Sequence, residues 1–128
     1  YLGGYACTSP ACAGGLAVRT MAFDHRPRSR TSTVQLTASF HARPGHESVV
    51  RDLLAAYAAV VRTTDGTILF EPSTVAGHAE HFVVFERYRD QAAFEAHLAA
   101  AENKTFNADL AGHILGEVHL QFLDPLAP

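Results

Sequence analysis

Apolar and polar residues alternate cleanly over Val34–His41, with Val34, Leu36, Ala38 and Phe40 on one side and Gln35, Thr37, Ser39 and His41 on the other. A period of two predicts a half-buried strand. Arg43-Pro44-Gly45 ends it, because proline brings no backbone donor and glycine allows a sharp turn. From His46 to Arg62 the period lengthens to that of a helix. Val49, Leu53, Tyr57 and Val60 form one stripe, and Val50, Leu54 and Val61 widen it. Glu47 and Arg62 suit the two ends of its dipole, and Gly66 is expected as a left-handed cap beyond it. Residues 67–72 read as a second strand stopped by Pro72, residues 73–80 as a loop holding Gly77, and His81–Tyr88 as a third strand. The two strands are expected to pair as an antiparallel hairpin. Asp90 is a good N-cap for a second helix, with Phe94, Leu98 and Ala101 facing inward. A polar break at Glu102-Asn103-Lys104 precedes a short helical piece carrying Phe106 and Leu110. Gly112 and Gly116 bracket the exit, and Glu117–Leu123 alternates again before Pro125.

The order β-α-β-β-α-β is the split βαβ of a ferredoxin-like α+β fold: a four-stranded antiparallel sheet with two helices on one face. The other face stays uncovered in a single copy and calls for a partner, so a homodimer packed sheet to sheet is expected. Residues 34–125 make up this domain. Residues 1–33 show no lasting apolar period and carry Gly3-Gly4, Gly14-Gly15, Pro10 and Pro27, so they read as a poorly ordered arm. Met21 is the only methionine, which suggests a native start there, with residues 1–20 as an extension.

Length and composition narrow the class. The 128 residues suit one domain, and 48% hydrophobic with 18% charged residues is a globular balance. The net charge of −3 is uneven: residues 1–33 hold four arginines against Asp24, while residues 34–128 hold 6 basic and 12 acidic groups. An acidic domain argues against nucleic acid as a partner. No apolar run is long enough to cross a bilayer and no secretory apolar stretch is present, so a soluble, cytoplasmic protein without a membrane partner is expected. Cys7 and Cys12 read as incidental thiols in the arm.

The chemistry concentrates in Phe85-Glu86-Arg87-Tyr88 and the helix after it. Glu86 and Tyr88 are two apart and share a strand face; His97 lies on the following helix. His97 suits a general base, since imidazole titrates near neutrality, but it also suits local packing. Glu86, among apolar neighbours, must be paired or wet: it either orients His97 or bridges to Arg43 or Arg62. Tyr88 either donates a hydrogen bond to a substrate oxygen or fills a rim position. Phe40, Tyr57, Phe70, Phe82, Phe94 and Phe106 are core residues by default, and some of them would stack against a flat aromatic substrate. Eight histidines are present, but His78 and His81 flank a loop entering a strand and no acidic or cysteine cluster joins them, so no metal is expected.

These motifs carry a resemblance. Ala42-Arg43-Pro44-Gly45-His46-Glu47, Phe85-Glu86-Arg87-Tyr88, Phe94-Glu95-Ala96-His97-Leu98, Phe106 and Leu110 make residues 34–125 resemble the antibiotic biosynthesis monooxygenase family, and within it the small quinol monooxygenases. This chain departs from the family in having Thr64-Asp65-Gly66 for Glu-Pro-Gly, Tyr88 where many members have tryptophan, and Ala101-Glu102-Asn103 for a Ser-Pro-His-like segment. The resemblance implies a dimeric α+β barrel and oxygenation of a quinol or polyketide-like phenol or anthrone by dioxygen as co-substrate, with no cofactor. His97 is then the base, Tyr88 the donor and Glu86 the orienting carboxylate. Haem-degrading relatives depend on a pocket tryptophan, which this chain lacks. Two other readings use the same residues: a proton-transfer enzyme such as an isomerase, and a non-catalytic dimer that binds an aromatic ligand.

Overall fold

The computed structural model describes residues 18–21 and 32–126. In chain order the elements are β1 (Val18–Met21), β2 (Val34–Ala42), α1 (Glu47–Arg62), β3 (Thr67–Val75), β4 (His78–Tyr88), α2 (Gln91–Ala99), α3 (Ala101–Ala111) and β5 (Ile114–Leu123). The strands form one sheet in the order β1-β5-β2-β4-β3. β2 runs antiparallel to both β4 and β5, and β3 runs antiparallel to β4. These four strands and their helices are the ferredoxin-like α+β arrangement that the alternation predicts. β1 is an addition to it: it falls inside the expected arm and pairs parallel with β5, Val18 opposite Val118 and Met21 opposite Gln121. Residues 1–17, with both cysteines, and 22–31 of that arm lie outside the described residues. Among the described residues no helix is long and apolar enough to cross a membrane.

The core forms where one face of the sheet meets the helices. Val34, Leu36, Ala38, Phe40 and Ala42 of β2, Phe82, Val84 and Tyr88 of β4, and Val118 and Leu120 of β5 pack in one cluster with Val50, Leu54, Tyr57 and Val61 of α1 and Phe94 and Leu98 of α2. Strand period two and helix period 3.6 supply these positions. Along α1 the buried stripe is Val50, Leu54, Tyr57, Ala58 and Val61. The stripe expected through Val49 and Val60 is therefore rotated by one position, and both of those valines are exposed.

Four other boundaries move, each for a local reason. β3 continues through Pro72 to Val75, and a two-residue turn, Ala76-Gly77, replaces the expected loop of 73–80. Pro72 is tolerated because β3 is an edge strand and its missing N–H need not serve the ladder. The chain breaks at Ala100, not at Glu102-Asn103-Lys104. Ala100 is extended (φ −65°, ψ 142°), donates its N–H to the His97 carbonyl and accepts from the N–H groups of Asn103 and Lys104, so it ends α2 and starts α3 without a loop. Ala101 is consequently exposed instead of inward-facing. β5 begins at Ile114, and Gly116 (φ 67°) sits within it where the pairing with β2 is interrupted.

Asp90 caps α2 as expected, its carboxylate accepting from the Ala93 N–H at 2.8 Å. Gly66 is not the cap of α1. Thr63 ends that helix in a right-handed conformation, and Gly66 (φ 91°) makes the turn into β3, its carbonyl accepting from the Arg89 N–H at 2.8 Å. A Cβ at Gly66 would meet Ala93 Cβ at 2.6 Å. Gly66→Ala combines that clash with a left-handed backbone, and we expect a loss of about 2 kcal/mol, a fall of roughly 10 °C in thermal midpoint. Thermal unfolding followed by circular dichroism checks this; an unchanged midpoint would mean the turn relaxes freely.

Candidate active site

β4 presents Glu86 and Tyr88 on the helix-facing side of the sheet, both with 0% exposure. Apolar residues flank them across the sheet: Phe70 and Leu36 lie opposite Glu86, and Val34 lies opposite Tyr88. The Tyr88 hydroxyl donates to Glu86 Oε1 at 2.6 Å, a length in the range of charge-assisted O–H···O bonds. The Asp90 cap starts α2 directly after this strand, and two turns later the helix delivers His97, 4% exposed, onto the same spot. His97 Nε2 lies 3.9 Å from Glu86 Oε1. The three residues that the sequence singles out therefore meet in one buried cluster. Arg62, one alternative partner for Glu86, instead donates to the Phe70 carbonyl and pairs with Glu71.

Two further members lie on α3. Asn103, with 0% exposure, donates through Nδ2 to the Tyr57 hydroxyl at 2.8 Å and lies 3.5 Å from His97 Nε2. Asn107 donates through Nδ2 to Asn103 Oδ1 at 2.9 Å, while its own buried Oδ1 has no hydrogen-bond partner among the described residues. Sequence reasoning took Asn103 for part of a break. The signal was nonetheless present: Asn103, Phe106, Asn107 and Leu110 follow the i, i+3, i+4, i+7 spacing of one buried helix face.

The aromatic candidates divide into two groups. The Tyr57, Phe70, Tyr88 and Phe94 ring centroids lie 6.1, 6.4, 4.9 and 6.5 Å from that of His97. Phe106 stacks on Tyr57 at 4.2 Å. Phe40 and Phe82 stack instead on each other, at 5.6 Å, across β2 and β4. Tyr57, Phe70, Phe94 and Phe106 thus belong to the shell of His97, while Phe40 and Phe82 belong to a second pair four residues back along β4.

Burial controls the electrostatics. It pulls the His97 pKa down to about 3, so the imidazole is neutral near pH 7. It pushes the Tyr88 and Tyr57 hydroxyls far above the usual tyrosine value, and the Glu86 charge pushes in the same direction, so both stay protonated. The site thus offers a neutral proton acceptor, a carboxyl group beside it to meet an imidazolium charge, and hydroxyl and amide donors for an oxyanion. Among the described residues no group of three or more His, Cys, Asp or Glu side chains is placed to hold a metal ion.

Comparison with known proteins identifies the family. The family model described as antibiotic biosynthesis monooxygenase matches residues 33–109, which include the whole cluster. A Mycobacterium tuberculosis protein named "Putative monooxygenase Rv0793" is 31% identical over 96 residues, 75% of this chain and 94% of its own length. The solved structure of Rv0793 superposes with a TM-score of 0.71 at 29% identity, covering 76% of this chain and 98% of that one. That of PA3566 from Pseudomonas aeruginosa also reaches 0.71, at 24% identity, covering 78% of this chain and all of the other, a likeness of fold. With the family model spanning most of the domain and the relative matched nearly end to end, the chain belongs to the antibiotic biosynthesis monooxygenase family.

Proposed function

We propose that the chain is a cofactor-independent monooxygenase that oxidises a quinol, or a phenol or anthrone of polyketide type, with dioxygen. The observation that carries this reading is a neutral imidazole, His97, buried 3.9 Å from Glu86 within a shell of aromatic rings. His97 accepts the acidic proton of the substrate. Asn103 donates a hydrogen bond to the substrate oxygen, the Tyr88 hydroxyl exchanges its bond to Glu86 for one to that oxygen, and Glu86 faces the imidazolium so formed. The substrate anion then reduces dioxygen directly. A C–O bond forms to give a hydroperoxide, and loss of water leaves the quinone. One oxygen atom enters the product, the other leaves as water, and all the electrons come from the substrate.

In this reading two copies pack through the sheet face away from the helices. On that face Thr37, Ser39, Val83, Phe85 and Arg87 are only partly covered, and the buried Arg87 Nε has no hydrogen-bond partner among the described residues. A second copy would cover the apolar residues and offer an acceptor to Arg87.

Oxygen uptake with a panel of hydroquinones and anthrones tests the chemistry. Wild-type protein is expected to exceed the buffer rate, and His97→Ala to lower that excess by about 100-fold or more. Uptake unchanged in the variant would remove His97 from the mechanism. Conversion without oxygen would favour the proton-transfer reading instead.

Stability against pH tests the state of His97. Its pKa of about 3 in the fold lies below the ordinary value of 6.5, so between these values the unfolded chain binds the proton and the native one does not. Stability from this group is complete above about pH 6.5 and is lost as pH falls toward 3. At pH 4.5 the loss is on the order of 2 kcal/mol. Urea midpoints of wild type and His97→Gln at pH 7 and 4.5 should show a shallower pH dependence in the variant. Equal dependence in the two proteins would mean that His97 is not held neutral by burial.

A further inference from the structure

A concavity opens along the seam between α1 and the edge strand β3. It is a cleft of about 150 Å³, lined by Arg51, Leu54 and Ala55 of α1, by Pro72, Ser73 and Thr74 of β3, and by Phe82 of β4. None of Glu86, Tyr88 or His97 lines it. Phe82 precedes Glu86 by four residues, which is about 13 Å along an extended strand. The cleft is therefore distinct from the catalytic cluster, although α1 touches both through Leu54 and Tyr57, one helical turn apart.

Its lining is divided. Phe82 and Leu54 are buried, and Phe82 is held in place by its stack on Phe40 at 5.6 Å with the planes only 11° apart. With Ala55 and Pro72 they make an apolar floor and walls. The mouth is polar: Ser73 and Arg51 are exposed, and Thr74 is half-buried. Arg51 takes part in none of the ion pairs among the described residues. An uncommitted cation thus stands at the rim of an apolar cleft, in a part of the chain whose charge is otherwise mostly negative.

That arrangement selects a ligand class. The volume matches that of cavities which hold a single benzene-sized ring, and it is too small for a tricyclic phenol. A planar guanidinium presents paired N–H donors that fit a carboxylate in two-point contact, and Thr74, opposite Phe82 on the helix-facing side of β3, adds a hydroxyl donor to the lining. We propose that this cleft binds a small aromatic carboxylate, with its ring against Phe82 and its carboxylate on Arg51.

Titration of the full-length, nitrogen-15-labelled protein with benzoate tests this, with benzamide as the uncharged analogue. Saturable shifts are expected at the amides of Arg51, Ala55, Ser73, Thr74 and Phe82. Benzamide, and benzoate with Arg51→Gln, are each expected to bind about tenfold more weakly, a difference of about 1.4 kcal/mol. Ala55→Phe fills the cleft from an exposed position and should abolish the shifts while leaving the rest of the spectrum in place. Three results would overturn the proposal: no saturation at tens of millimolar benzoate, equal binding of benzamide, or shifts centred on His97 and Asn103. The readout involves no turnover, so it stands or falls independently of the oxygenase reading.

Discussion

Glu86 has no exposed surface, and a carboxyl group taken out of water costs several kcal/mol unless its oxygens are met. Within the sheet, Tyr88 is one group that meets that demand. Phe70 and Leu36, the cross-strand neighbours of Glu86, are apolar, and the Tyr88 hydroxyl, two residues along, donates to its carboxyl group at 2.6 Å. On the other side of the carboxyl group, the helical layer brings polar groups to the same spot. The Asp90 cap places the first turn of α2 immediately after Tyr88, and His97 then falls over the carboxyl group. Ala100 turns the chain without a loop, so α3 brings Asn103 back to the same place. Loosening the cap or inserting residues at Ala100 would leave the carboxyl group buried with fewer partners.

Period and turn chemistry made most of the fold legible in the sequence: the four antiparallel strands, α1, and the Asp90 cap all follow from local patterns. What remained hidden was decided by tertiary contacts. Nothing in Val49 or Val60 says that the stripe through Val50 and Leu54 is the one that meets the sheet. Pro72 reads as a stop unless the strand is known to lie at an edge. At the site, the pair Glu86 and Tyr88 and the following His97 were legible because strand spacing and the cap fix their directions. Asn103 and Asn107 were not, because polar residues on a helix read as solvent-facing until something buried is known to need them. The aromatic residues could not be sorted at all: Phe82 and Phe94 are equally apolar, and only the register of β4 and the placement of α2 put one beside Phe40 and the other beside His97.

The depressed pKa of His97 constrains the chemistry more tightly than the presence of an imidazole does. A phenol with an ordinary pKa near 10 would give up its proton to a group at about 3 only at a cost of roughly 9 kcal/mol, if the two charges were then separated. Free deprotonation is therefore not what this site does well. In the proposed reaction the transfer becomes feasible when anion and imidazolium remain in contact within the apolar shell, where their attraction is strong, with Glu86 and Asn103 beside His97. Such an ion pair is short-lived unless the anion is consumed. A substrate whose anion passes an electron to dioxygen at once meets that condition, because oxidation draws the proton transfer forward. Under the proposed reaction, the same burial that makes His97 a weak base favours substrates that are readily oxidised over those that are merely acidic.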